Sequence, residues 1–71
     1  MKATELITAV KKINGHGDEI IQVFDKETGK HKFSTKTSAS DKEIRENAMF
    51  ELDYDSKELR SEIAELIISM K

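Results

Sequence analysis

The side chains with chemical potential in this 71-residue chain are two histidines, His16 and His31, and a run of alternating acids, Glu51, Asp53 and Asp55. A histidine metal site needs further ligands, and only Asp18 and Asp25 lie near these two in sequence, with no ligand-spacing motif. The two histidines therefore read as solvent-facing. Three acids at alternate positions of a strand share one face and could hold a divalent cation or act as a general acid and base. A simpler reading pairs them with Lys30, Lys32 and Lys36 of a neighbouring strand as a cross-strand charge ladder. The chain has no Cys, and no Ser stands in a G-x-S-x-G elbow. Gly15 and Gly17 make a G-x-G that precedes a strand, whereas a phosphate cradle opens a helix. The expectation is a non-enzymatic protein with no catalytic residue, no metal and no cofactor.

The elements that position these groups are read from apolar spacing. Ile20-Ile21-Gln22-Val23-Phe24 and His31-Lys32-Phe33-Ser34-Thr35, joined by Lys26-Glu27-Thr28-Gly29-Lys30, predict a β-hairpin with Gly29 left-handed and Lys26 and Lys30 closing the turn. This register sets Val23 opposite Phe33 and Ile21 opposite Thr35 on one face. Phe24 opposite Lys32, Gln22 opposite Ser34 and Ile20 opposite Lys36 occupy the other. A one-residue slip, the rival reading, would swap the faces and bury Ile20 and Phe24. Leu6, Val10 and Ile13 at i, i+4 and i+7 predict a first helix over Thr4–Ile13, ended by Asn14-Gly15. Ser40 with Glu43 forms a capping box that suits a short helix over Asp41–Asn47, with a strand from Ile44 as the rival. Ala48, Phe50, Leu52 and Tyr54 alternate as a third strand. Asp55, with Glu58, caps a final helix striped by Leu59, Ile63, Leu66, Ile67 and Met70.

The predicted fold is a small α+β domain of order α-β-β-β-α, with a three-stranded antiparallel sheet and two helices on one face. One domain spans residues 1–71. Phe33, Phe50, Leu52, Ile63 and Leu66 are its expected core, and Ile68 lies on the far side of the final helix. No signal-peptide core or membrane-length apolar run is present, which suits a cytoplasmic protein. The order α-β-β-β-α resembles the double-stranded-RNA-binding domain, and Gly29-Lys30-His31-Lys32-Phe33 is similar to that family's Gly-Pro-x-His loop and following aromatic, without the Pro. The resemblance implies RNA binding through lysines at the start of the last helix, where this chain reads Asp55-Ser56-Lys57-Glu58-Leu59-Arg60.

Net charge is -2, which argues against general affinity for nucleic acid or anionic membrane. The leading expectation is a protein that acts through a protein partner or a second copy of itself. Its candidate surface is Ile20, Phe24, Lys32 and Lys36, on the strand face turned from the helices. The alternative is nucleic-acid binding through Lys11, Lys12, Lys30, Lys32 and Lys36. The two separate on whether those lysines form one uninterrupted basic surface.

Overall fold

The computed structural model describes residues 2–71. One helical turn, α1 (Ala3–Leu6), leads into β1 (Ile7–Ile13), β2 (Glu19–Asp25) and β3 (His31–Lys36), followed by α2 (Asp41–Glu51) and α3 (Lys57–Ser69). The strands form an antiparallel meander in the order β1-β2-β3. The α+β class and the three-stranded antiparallel sheet thus match expectation. Two of the element assignments do not.

The expected helix over Thr4–Ile13 is helical only to Leu6; from Ile7 the chain is strand. Ile7, Thr8, Val10 and Ile13 are β-branched, which favours a pleated surface. Asn14-Gly15, read as a helix stop, is instead the start of a hairpin loop. Asn14 Oδ1 accepts the backbone N–H of His16 and of Asp18, and Gly17 takes φ +83°. Asn and Gly serve both endings because both tolerate tight, left-handed backbone.

The expected third strand over residues 48–54 is the end of α2 and the linker after it. Ile44, Ala48 and Leu52 repeat at i, i+4 and i+8 and are all buried, which is a helical row. Ser40 caps α2 by accepting Glu43 N–H at 3.1 Å, so the short helix expected over Asp41–Asn47 forms and continues to Glu51. In this helix Phe50 points outward, 89% exposed, and does not join the core. The cap of α3 is Ser56, whose Oγ accepts Leu59 N–H, not Asp55.

Helices α2 and α3 cover one face of the sheet. Ile7, Ile21, Val23 and Phe33 from the strands form one buried cluster with Ile44, Ala48, Leu52, Ile63, Ala64 and Ile67. Of the expected core, Phe33, Leu52 and Ile63 belong to it. Leu66 is half-buried against the cluster, whereas Ile67 is fully buried within it. Ile68 is also half-buried rather than free on the far side.

Side chains from elsewhere cap the helix C-termini, neither of which has a basic residue in its own last turn. Arg60 donates to the Met49 carbonyl of α2 at 2.9 Å. Lys11, on the helix-facing side of β1, donates to the Met70 carbonyl at 2.9 Å. Cations at these carbonyls suit the helix dipole.

Candidate functional site: the uncovered sheet face

The side of the sheet away from the helices carries three rows. In β1 these are Thr8, Val10 and Lys12, paired with Phe24, Gln22 and Ile20 of β2. In β3, Lys36 lies opposite Ile20, Ser34 opposite Gln22 and His31 opposite Phe24. Ile21 and Val23, which alternate with Ile20, Gln22 and Phe24, are completely buried. The pleat therefore turns Ile20 and Phe24 away from the core, which excludes the slipped register that would bury them. Both are half-buried by their neighbours. Val10, beside them, remains 42% exposed.

The hairpin differs in one detail. Asp25 and Lys30 close the turn, with Asp25 N–H to Lys30 C=O and Gly29 N–H to Asp25 C=O both at 2.8 Å. Gly29 has φ +76°, as expected. The Asp25 carboxylate accepts the N–H groups of Glu27 and Thr28. This four-residue loop shifts the register between Val23 and Phe24, so Phe24 faces His31 and Lys32 sits in a bulge. The Phe24 and His31 rings meet edge-on, with centroids 5.6 Å apart. Lys32 leaves the outer face: its Nζ lies 3.1 Å from Asp53 and 5.7 Å from the Tyr54 ring centroid. Of the four residues proposed as a partner surface, Ile20, Phe24 and Lys36 share the uncovered face, and Lys32 does not.

The expected ladder of Glu51, Asp53 and Asp55 against Lys30, Lys32 and Lys36 does not form, because those acids lie at the end of α2 and in the linker. Only Asp53 reaches a lysine, Lys32. Next to it, Tyr54 Oη donates to Asp25 at 3.1 Å. The backbone N–H of Thr28 is the main reason that the Asp25 carboxyl titrates below its usual range, aided by Tyr54 and Glu27. Burial and then the Asp25 contact push the Tyr54 phenol up to about 12.

The five lysines of the nucleic-acid reading are divided. Lys11 and Lys12 occupy opposite faces of β1, and Lys11 is held by Met70. Lys32 pairs with Asp53 and Lys36 with Asp18. Lys30 stands apart at the turn. They make no uninterrupted basic surface. His16 and His31 lie at opposite ends of the meander, in the β1–β2 loop and after the β2–β3 turn. Among the described residues no three His, Asp or Glu gather as a metal site. An open groove of about 500 Å³ borders the outer face where Ile20, Ser34 and Lys36 approach Glu43 and Asn47 of α2.

The helical spacing of Leu6, Val10 and Ile13 hides Thr8, Val10 and Lys12 from a sequence reading of this face. The β-branched run Ile7, Thr8, Val10 was the signal that could have placed them. Charge is also segregated: residues 41–71 hold nine of the 14 carboxylates, whereas the paired outer-face positions hold none. Comparison with protein-family models, curated proteins and solved structures found no match. The likeness to the double-stranded-RNA-binding domain does not extend to the element order: both full helices follow the sheet, and only one helical turn precedes it. No helix among the described residues is long and apolar enough to cross a membrane.

Proposed function

We propose that this chain is a non-enzymatic cytoplasmic binding protein that engages a protein partner through its uncovered sheet face. The observation carrying this reading is the row Ile20, Gln22 and Phe24 on the central strand, turned from the core and flanked by exposed Val10. Lys12 and Lys36 stand at the rim. An aromatic anchor in an apolar centre with a charged border is a common form of modest interface. The absence of acids among these paired positions favours a partner whose apolar surface is bordered by carboxylates, because complementary charge steers association.

The test uses the immobilised chain as bait, with Phe24→Ser and Phe50→Ser variants of confirmed fold. Both substitutions remove an aromatic from the surface, on opposite sides of the molecule. A protein retained by the parent and by Phe50→Ser, lost with Phe24→Ser, and bound directly after purification supports the reading. Retention unaffected by Phe24→Ser, or no retention at all, overturns it.

A further inference from the structure

We infer that two copies of this chain pair through the free edge of β1, forming a six-stranded antiparallel sheet about a two-fold axis at Val10. Within the molecule, Leu6 C=O accepts from Lys26 N–H, and Asn14 N–H donates to Asp18 C=O. Even-numbered residues of β1 therefore bond to β2, and the odd-numbered ones direct their backbone groups to the open edge. Ile7 N–H is occupied by Ala3 C=O at the end of α1. The edge-facing N–H and C=O groups of Ala9, Lys11 and Ile13 have no partner among the described residues. Such an edge is a template for another strand. The opposite edge is poorer, because β3 carries the bulge at Lys32.

The sequence of β1 selects a second copy of itself as the occupant. A two-fold axis relating antiparallel neighbours stands perpendicular to the sheet, so both helix layers stay on one side and residues of like parity meet. Val10 is the middle residue of Ile7–Ile13, and centring the axis there pairs the whole strand. Ala9 then meets Lys11 of the second copy and exchanges both hydrogen bonds with it. Ile13 N–H reaches the free Ile7 C=O. Across the faces, Val10 meets Val10, Thr8 meets Lys12 and Ile7 meets Ile13, so no lysine opposes a lysine. Centring on Lys11 would place Lys11 against itself, and centring on Ala9 would set Lys12 beyond the partner strand. Among the described residues three large apolar side chains are exposed, Val10 at 42%, Ile13 at 60% and Phe50 at 89%. This register covers the first two. Dimerisation also joins two uncovered faces into one, yet it does not depend on the partner reading, since Phe24 lies a strand away from the axis.

The test is the solution mass of the full chain, by light scattering over a concentration series, with variants at the axis. The parent is expected at twice 8.1 kDa. Val10→Glu and Val10→Lys, each setting like charges opposite each other, are expected to halve that mass with the fold retained, and mixing them to restore it. Because the chain has no native Cys, Val10→Cys and Thr8→Cys give a second reading that needs no loss of stability. At the axis the paired Cα atoms stand about 4.5 Å apart, within disulfide reach. Two Thr8 positions lie four residues apart along the ladder, about 14 Å, out of reach. Rapid oxidative cross-linking of Val10→Cys alone supports this pairing. A monomeric parent up to hundreds of micromolar, a folded Val10→Glu dimer, or equal cross-linking of both Cys variants overturns it. Phe24→Ser leaves the mass unchanged, which separates this outcome from that of the partner-capture test.

Discussion

Replacing Ile44 by Ala and, separately, Phe50 by Ala tests the helical assignment of residues 41–51 inside a single element. Ile44 is fully buried, whereas Phe50 is 89% exposed. Truncating Ile44 removes three carbons, about 0.8 kcal/mol each in transfer free energy, and leaves a cavity against Ala48, Ile63 and Ile67 that adds to the cost. Better helix propensity returns a few tenths of a kcal/mol. The net loss is about 2–4 kcal/mol. A domain of this size has a total stability on the order of 4–11 kcal/mol, so the midpoint of thermal unfolding falls by roughly 10–25 °C. Phe50→Ala removes a larger side chain yet changes stability by no more than about 0.5 kcal/mol. Urea unfolding followed by far-ultraviolet circular dichroism measures both. The two effects would reverse if residues 48–54 were a strand with Phe50 in the core. A loss above about 1.5 kcal/mol for Phe50→Ala, or below about 1 kcal/mol for Ile44→Ala, would refute the packing.

Ser40→Ala and Ser56→Ala each remove an N-cap acceptor and should cost about 1 kcal/mol in the same urea experiment; no loss at either site would deny that cap a role. The phenol of Tyr54, the only tyrosine, has its pKa raised from 10.0 to about 12. Its contribution to stability is therefore complete below pH 10 and is lost as the pH rises through 10 toward 12. Tyrosinate absorbance in the folded protein should rise late, and a midpoint at the unperturbed value would contradict the burial. Lys32→Ala breaks the Asp53 pair, which is largely exposed on the Asp53 side; it should cost under about 1 kcal/mol, read by thermal unfolding. Duplex RNA and DNA should bind weakly at physiological salt, since phosphate affinity requires lysines acting together. Micromolar, salt-sensitive binding abolished by Lys30→Ala with Lys36→Ala would reverse that expectation.

By itself the sequence located the β2–β3 hairpin, because Gly29 admits the left-handed turn. It set the turn one residue short and left open which face of β2 is buried, since Ile20 and Phe24 on one face compete with Ile21 and Val23 on the other. Complete burial of Ile21 and Val23 is what places Ile20 and Phe24 opposite the core. The sequence also located α3 by its apolar row, with the cap set one residue early at Asp55 in place of Ser56, and the start of α2 by the Ser40 cap, whose bond is local. Two segments needed the tertiary structure. Leu6, Val10 and Ile13 fit a helical period, and Ala48, Phe50, Leu52 and Tyr54 a strand period, so spacing alone supported the wrong element in each. Hydrogen bonding along β2 decided the first, since its second edge would otherwise be open and its inner residues half-covered. Burial of the row Ile44, Ala48 and Leu52 against α3 decided the second, leaving Phe50 in solvent. The outer face could not be completed from sequence for the same reason: Val10 and Lys12 join Phe24 only once β1 pairs with β2. Lys32 leaves it because the four-residue turn inserts a bulge, a consequence of the Asp25 carboxylate binding two backbone N–H groups.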